Sequence, residues 1–167
     1  MTVVLITGGA RSGKSRRAEL RTLSYSGQAI YIATSEALDT EMEARIAVHR
    51  ERRGLEWELR EEPLDLVRVL VETDDRGPRL VDCLTLWLSN LMHAERDWKA
   101  ECSALVQTLR TQKSPVILVT NEVGLGIVPD NALARAFRDA AGFINQSVAD
   151  VADDVELVVA GIAMKLK

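Results

Sequence analysis

The chain is poor in cysteine and histidine, with two of each among its 167 residues. The two cysteines, Cys83 and Cys102, are too few and too isolated for a disulfide framework or a zinc-binding motif. We therefore expect both thiols to be reduced, as they are in cytoplasmic proteins. Cys83 follows an apolar run, which predicts that its role is packing in the core.

The sequence also lacks long hydrophobic runs and an excess of basic charge. No apolar run approaches the roughly 20 residues that span a bilayer, and the N-terminus has no basic leader of the kind found in signal peptides. The net charge is −4, whereas nucleic-acid-binding proteins usually carry a basic surface. We therefore expect a cytoplasmic protein with no membrane span and no nucleic-acid partner.

Linkers, repeats and low-complexity tracts are absent, so residues 1–167 are predicted to form a single domain. Apolar, β-rich runs alternate with helical stretches, which is typical of an α/β fold with a mostly parallel sheet. Each run is nearly continuous in its hydrophobicity, as expected for strands covered on both faces. Strands are predicted at residues 2–7, 29–33, 79–83, 116–120 and 155–160, and helices at 15–26, 40–53, 64–73, 84–94, 98–112 and 131–152.

The most specific motif is G-G-A-R-S-G-K-S at residues 8–15, directly after the first predicted strand and before a predicted helix. Glycine, four residues and then Gly-Lys-Ser is the pattern of a phosphate-binding P-loop. Glycines allow the backbone to fold tightly around an oxyanion, and the helix N-terminus favours negative charge. Lys14 is predicted to reach the β- and γ-phosphates, and the Ser15 hydroxyl to bind Mg²⁺.

Polar residues end several predicted strands, at Thr34-Ser35, Asp82 and Asn121-Glu122. Because binding sites in open parallel sheets lie at the carboxyl ends of the strands, we expect these residues to converge with the P-loop. Asp82 matches the carboxylate that helps to hold Mg²⁺ in P-loop proteins, although a helix-capping role is an alternative. The Asn-Lys-x-Asp sequence of regulatory GTPases does not occur, which argues against that class.

His49 lies on a predicted helical face with arginines three or four residues away, at Arg45, Arg52 and Arg53. Neighbouring positive charge lowers the pKa of an imidazole, and the neutral imidazole is the nucleophilic form. The same arginines suit a triphosphate. Two interpretations stay open on this pattern alone: a histidine that attacks a nucleotide phosphate, and a bystander on a solvated basic helix.

Taken together, these motifs resemble one specific family, and the resemblance covers essentially the whole chain. The resemblance rests on the P-loop, on His49 and its helix, and on the sequence Thr-Asn-Glu-Val-Gly at residues 120–124. It also involves residues 31–35, Asp39, 41–42, 45–46, Arg53, Trp57, 126–129, 133–135, 137–139, Gly142 and 145–146. The family is the bifunctional adenosylcobinamide kinase / adenosylcobinamide-phosphate guanylyltransferase of cobalamin biosynthesis.

The resemblance implies two reactions on one P-loop domain with a RecA-like sheet. A kinase step moves the γ-phosphate of GTP or ATP onto adenosylcobinamide, and a transferase step places GMP from GTP on that phosphate. His49 would carry GMP covalently, Mg²⁺ would assist, and the chain would form a homotrimer. The implied nucleotide contacts are Gly8, Gly9, Ala10, Arg11, Ser12, Gly13, Lys14, Ser15, Ala33, Thr34, Ser35, Arg50, Glu51, Arg52, Arg53, Glu61 and Asp82.

Two other classes of function are considered beside this one. The first is a monofunctional P-loop kinase for a small molecule, in which His49 is a bystander. The second is a nucleotide-dependent binding or regulatory protein with slow hydrolysis.

The segment 84–98, with Trp87 and Trp98, is predicted either to form a subunit interface or to pack in the core.

Overall fold

The structure is a computed structural model that describes residues 2–35, 54 and 56–167. The predicted helix 40–53, with His49, Arg50, Glu51, Arg52 and Arg53, lies outside the described residues.

The described residues form one seven-stranded sheet in the order β3-β2-β4-β5-β1-β6-β7. All neighbouring strands are parallel except β6 and β7, which pair as an antiparallel hairpin. The central strands are almost fully buried because helices cover both faces of the sheet. The strands are β1 (Val3–Gly8), β2 (Ala29–Ala33), β3 (Trp57–Glu61), β4 (Arg79–Asp82), β5 (Val116–Asn121), β6 (Asp154–Val159) and β7 (Ile162–Lys165).

Five helices pack against the two faces of this sheet in the part of the chain that the structure describes. They are α1 (Lys14–Leu23), α2 (Leu66–Glu72), α3 (Leu84–His93), α4 (Trp98–Leu109) and α5 (Ala132–Val151). On one face, Ala18 of α1 packs with Val4 and Ile6. On the other face, α2 to α5 pack over Val3 and Leu5, so alternate residues of β1 serve opposite cores.

The five predicted strands are confirmed, and two strands that the sequence did not predict lie at the sheet edges. β3 pairs only with β2 among the described strands, and its residues are half-buried or exposed. β7 is mostly exposed as well. Neither strand has the continuous apolar run that identified the others. Glu61, which lies outside every predicted strand and helix, is the last residue of β3.

The tryptophans of segment 84–98 have separate surroundings. Trp87 is fully buried in the core, and its indole Nε1 donates a hydrogen bond to the Leu64 carbonyl at 2.9 Å. Trp98 begins α4 and packs edge-to-face on Phe143 of α5, with ring centroids 5.7 Å apart, within the range that such pairs prefer. For Trp87, core packing is therefore the correct alternative.

A buried arginine closes the amino edge of the sheet. Arg79, the first residue of β4, has no exposed surface, and its guanidinium donates to Asp74 Oδ1 at 2.9 Å and to Gln112 Oε1 at 2.7 Å. It also donates to the carbonyls of Thr73 and Ser114. Burial lowers the pKa of Arg79, and the Asp74 carboxylate opposes that shift. This network joins β4 to the two segments that precede β4 and β5.

None of the described helices has the length and apolar character needed to cross a membrane.

Candidate active site

The strand register brings the predicted site residues to one edge of the sheet. Gly8 at the end of β1 is in register with Asn121 of β5, and Asp82 of β4 is in register with Ala33 of β2. Ala33 is in turn in register with Glu61 of β3. The expectation that these strand ends share one carboxyl edge is confirmed.

The loop between β1 and α1 has the backbone conformation that the glycines of the P-loop motif predict. Arg11 and Gly13 have positive φ angles of 56° and 94°. A Cβ on Gly8 would lie 2.5 Å from the Val158 carbonyl oxygen, which is too close for any side chain. The Gly161 amide donates to the Ser12 carbonyl at 2.8 Å, so the turn between β6 and β7 supports the loop from outside.

The inner side of this loop offers hydrogen-bond donors. Gly13 is the N-cap of α1 and provides no side-chain cap for the first-turn amides. The Ser12 hydroxyl is buried and has no hydrogen-bond partner among the described residues. Gly9, Ala10 and Arg11 are exposed. Uncapped amides at the start of a ten-residue helix, together with an unpartnered hydroxyl, form a site that suits an anion.

Lys14 provides the cation of the loop. Its side chain is only 9% exposed, and Nζ donates to the Gly9 carbonyl at 3.1 Å. Burial lowers the pKa of Lys14, while Cys83 and Asp82 raise it. Burial raises the pKa of the Cys83 thiol itself to about 11, so at neutral pH the opposing charge comes from Asp82. Lys14 and Asp82 are thus electrostatic neighbours across β5.

Asp82 is half-buried and holds a defined position. Its Oδ2 accepts a hydrogen bond from the Tyr31 hydroxyl at 2.7 Å. It does not cap the following helix, because the N-cap of α3 is Cys83 and no side chain caps that helix. The capping alternative for Asp82 is therefore wrong.

Mg²⁺ prefers hard oxygen ligands and keeps several waters or phosphate oxygens in its shell. Ser15, half-buried in the first turn of α1, and Asp82 supply such oxygens at the same edge. Within the described ranges, no group of three or more His, Cys, Asp or Glu side chains could hold a metal ion by itself. The donor set therefore fits a cation that is shared with a phosphate ligand.

Thr34 ties the ends of β2 and β4 together. It is fully buried; its hydroxyl donates to the Cys83 carbonyl at 2.7 Å and accepts from the Cys83 amide at 2.8 Å. Asn90 of α3 donates to the Thr34 carbonyl at 2.7 Å. Thr34 thus holds the backbone beside Asp82, while Ser35 lies half-buried beyond it.

A polar network beside the P-loop contains residues to which the sequence assigned no role. The Thr85 hydroxyl accepts from the Asn121 amide at 2.8 Å, and the Thr120 hydroxyl donates to Asn145 Oδ1 at 2.7 Å. These bonds join α3 and α5 to the end of β5. Thr85 and Asn145 are 60 positions apart in the sequence, and no local pattern signals that they meet.

Glu122 continues the chain from β5 into the next loop. Its amide donates to the Gly8 carbonyl at 3.0 Å, which places it beside the P-loop. Its carboxylate Oε1 accepts from the amides of Gly124 and Leu125. Its observed role is therefore to shape the loop that begins there.

Glu61 lies away from the P-loop, because β2, β4 and β5 separate β3 from β1. Four strand spacings correspond to about 19 Å along the edge. Glu61 and Ser12 are therefore too far apart to contact the same phosphate. Any shared ligand must extend along the edge of the sheet.

Comparison with known proteins identifies the family. The family model described as "Cobinamide kinase / cobinamide phosphate guanyltransferase" matches residues 4–166. The "Bifunctional adenosylcobalamin biosynthesis protein CobP" of Pseudomonas aeruginosa is 47% identical, over 98% of this chain and 96% of that protein. The "Bifunctional adenosylcobalamin biosynthesis protein CobU" of Salmonella typhimurium is 43% identical, over 99% of both chains.

Solved structures with low sequence identity share the fold. The P4 protein from bacteriophage phi6, in complex with ADP, has a TM-score of 0.52 at 16% identity and matches 97% of this chain and 52% of its own. The flagellar accessory protein FlaH from Methanocaldococcus jannaschii also has a TM-score of 0.52, at 14% identity, over 99% of this chain and 78% of its own. These likenesses agree with a P-loop NTPase fold.

Proposed function

The chain belongs to the cobinamide kinase / cobinamide phosphate guanyltransferase family, and we propose that it phosphorylates adenosylcobinamide and then converts the product to adenosylcobinamide-GDP. As a member of that family it is a bifunctional enzyme of cobalamin biosynthesis. The observation that carries the proposal is the P-loop, with its buried Lys14 beside Asp82, in a chain that matches the family over nearly its whole length.

In the kinase step, the P-loop amides and Lys14 hold the triphosphate of ATP or GTP. The aminopropanol hydroxyl of adenosylcobinamide attacks the γ-phosphorus, loses its proton, and the nucleoside diphosphate leaves. We assign the Ser12 hydroxyl, which is buried without a partner among the described residues, and the first-turn amides of α1 as donors to the phosphates. Positioned donors of this kind stabilise the charge that develops during transfer.

In the transferase step, the imidazole of His49 attacks the α-phosphorus of GTP, and pyrophosphate leaves. The phosphate of the phosphorylated corrinoid then attacks the same phosphorus, which breaks the bond to nitrogen and regenerates His49. Two displacements through a covalent intermediate replace one difficult step. This role of His49 follows from the family resemblance, as do nucleotide contacts by Arg50, Glu51, Arg52, Arg53 and Glu61.

Ser15 and Asp82 are the residues that would hold Mg²⁺, because their oxygens lie at the edge where the phosphates would bind. When bound, the ion would neutralise charge on the polyphosphate. The hydrogen bond from Tyr31 fixes the Asp82 carboxylate in place without a metal.

The covalent intermediate is tested by incubating the protein with GTP and Mg²⁺, without corrinoid, and measuring its intact mass. We expect a gain of one GMP that is labile in acid and stable in base. His49→Ala should abolish the adduct and guanylyl transfer while kinase activity remains. His93→Ala is the matched control, since it removes the other of the two histidines, and it should retain the adduct.

Absence of an adduct on active wild-type protein would contradict the His49 role and would favour a monofunctional kinase. GTP hydrolysis without turnover of cobinamide would instead favour a nucleotide-dependent binding protein.

The homotrimer and the cytoplasmic location remain proposals that come with the family. Sedimentation equilibrium tests the first of these, because a trimer would have three times the mass of the 18.5 kDa chain. A cytoplasmic enzyme would have direct access to both nucleotide donors.

A further inference from the structure

Helices α3 and α5 meet at the carboxyl edge of the sheet, and α5 extends beyond it. Asn145 lies level with that edge, because it is hydrogen-bonded to Thr120 at the end of β5. Since α5 begins at Ala132 and a helix rises 1.5 Å per residue, its first part extends roughly 20 Å past the edge. Thr85 is level with the same edge through its bond to Asn121, and so is Asn90, which donates to the Thr34 carbonyl just after β2; α3 therefore runs along the edge beside α5.

A groove of about 350 Å³ lies between the second half of α3 and the start of α5. Met92 of α3 and Leu133, Ala134 and Phe137 of α5 are among the residues that line it, so its surface is mainly apolar. Phe137 and Asn145 are eight positions apart, which is two i, i+4 steps, and therefore share one face of α5. The groove thus begins above the polar network that lies beside the P-loop.

The orientation of α3 leads to the same placement. Ser89, which also lines the groove, lies three positions after Leu86 and shares its helix face. Leu86 packs against the cluster that contains Cys83 and Val119, at the ends of β4 and β5. Met92 and Phe137, which also line the groove, pack against the other core cluster, beneath α2 to α5. The groove therefore lies at the carboxyl edge, on the face of the sheet that α3 and α5 cover.

The loop that connects β5 to α5 continues this apolar surface. Its side chains are strongly exposed: 87% for Leu125, 97% for Ile127 and 63% for Val128, followed by 68% for Leu133 at the start of α5. We call these four residues the apolar crest. The crest begins beside the P-loop, since the Glu122 amide donates to the Gly8 carbonyl at 3.0 Å. Contiguous exposed apolar residues mark binding surfaces.

We propose that the apolar crest and the groove behind it bind the corrin macrocycle of the acceptor substrate. This inference rests on the proposed function, because both reactions bring the side arm of the corrinoid to a nucleotide phosphorus. Reacting atoms must approach to about 3–3.5 Å, so the bulky ring has to lie beside the P-loop without occupying it. The crest and groove are mainly apolar, and the loop that carries the crest begins at Glu122, whose amide donates to the Gly8 carbonyl.

The test is a double variant, Ile127→Asp with Leu133→Asp, which places charge on the crest at two exposed positions. We expect KM for cobinamide in the kinase reaction to rise about tenfold or more, from loss of the apolar contacts of two side chains. KM for the nucleotide and the yield of the GMP adduct with GTP alone should not change. Val71→Asp is the matched control, on α2 and 60% exposed, and KM for cobinamide should stay at the wild-type value.

Equilibrium dialysis of cobinamide, followed by the visible absorbance of the corrin, measures binding independently of turnover and should show the same loss of affinity. An unchanged KM and an unchanged dialysis constant in an active double variant would overturn the proposal. A smaller sedimenting mass of the variant with unchanged cobinamide affinity would also overturn it, because the crest would then be a contact between copies of this chain. Failure of the wild-type protein to turn over cobinamide at all would instead contradict the proposed function.

Discussion

The two edges of the sheet use buried cations in opposite ways. At the amino edge, the guanidinium of Arg79 is fully enclosed and donates to Asp74, Gln112 and two backbone carbonyls. At the carboxyl edge, Lys14 is nearly as buried, yet within the part of the chain that the structure describes its Nζ donates a single hydrogen bond, to the Gly9 carbonyl. The hydrogen bonds of Arg79 therefore stabilise the fold, whereas Lys14 Nζ keeps hydrogen-bonding capacity for a ligand.

The backbone shows the same contrast. Around Arg79, the amides of Lys113 and Ser114 are bonded to the Asp74 carboxylate, so the loop is joined to the sheet by internal contacts. Around Lys14, the helix begins without a side-chain cap, and the Ser12 hydroxyl has no partner among the described residues. Because an unsatisfied buried polar group costs free energy, a buried hydroxyl without a partner beside uncapped helix amides indicates where a ligand binds.

Of the substitutions that test the contrast between the two edges, Lys14→Ala should have the largest effect on activity. A fully active variant would show that the buried cation at the carboxyl edge does not serve a ligand. Because one phosphate-binding loop serves both reactions, we expect kcat of the kinase and of the guanylyltransferase to fall about 10³-fold. Stability should not fall, since burial disfavours the charged form of Lys14. Steady-state kinetics and urea unfolding measure the two quantities.

The control for this variant is Lys113→Ala, because Lys113 is exposed and pairs with Asp75 far from the site. Retention of either activity by the Lys14→Ala variant would indicate separate phosphate sites.

Asp74→Ala should show the converse behaviour at the amino edge. It leaves the buried guanidinium of Arg79 without its carboxylate, which typically costs about 3–5 kcal/mol of unfolding free energy. Kinase turnover per folded molecule should be unchanged, because the change lies at the opposite end of the strands. Urea denaturation with linear extrapolation gives the free energy of unfolding.

Glu72→Ala is the matched control, since its pair with Arg68 is exposed and should contribute under about 1 kcal/mol. Equal losses of unfolding free energy in the two variants would show that the buried Arg79 network contributes no more to stability than an exposed ion pair.

Gly8→Ala should have the smallest effect of the three and tests how tightly the P-loop packs on β6. The added Cβ would lie 2.5 Å from the Val158 carbonyl oxygen and 2.6 Å from Ser12 Oγ. We expect a loss of about 1–3 kcal/mol from this overpacking. Gly9→Ala, where a Cβ would meet nothing within 4 Å, should change stability by less than about 0.5 kcal/mol. Similar thermal midpoints for the two variants would contradict the close approach of the loop to β6.

Some of the site was predictable because its signals are local. The P-loop was predictable from spacing, since glycine is required at Gly13, where φ is 94°. Asp82 and Asn121 were predictable as site residues because each ends an apolar run, and ends of parallel strands meet at one edge. The predicted helix 131–152 agrees with α5, which Asn131 caps by accepting a hydrogen bond from the Ala134 amide at 2.7 Å.

Other parts depend on partners that are distant in the chain. β3 and β7 lie at the edges of the sheet, and their pairing with β2 and β6 identifies them where hydrophobicity does not. The meeting of Thr85, Thr120 and Asn145 follows from the packing of α3 and α5 against β5, for which no local pattern exists.

The sequence by itself determined the fold class, the phosphate-binding loop and the family, because each depends on residues that are close together or on a pattern that recurs along the chain. Only the tertiary structure decided which buried cation serves the fold and which faces a ligand. It also decided that α3 and α5 meet at the P-loop edge with an apolar groove between them. These features depend on which donors are satisfied and which faces are covered, and burial by distant residues sets both.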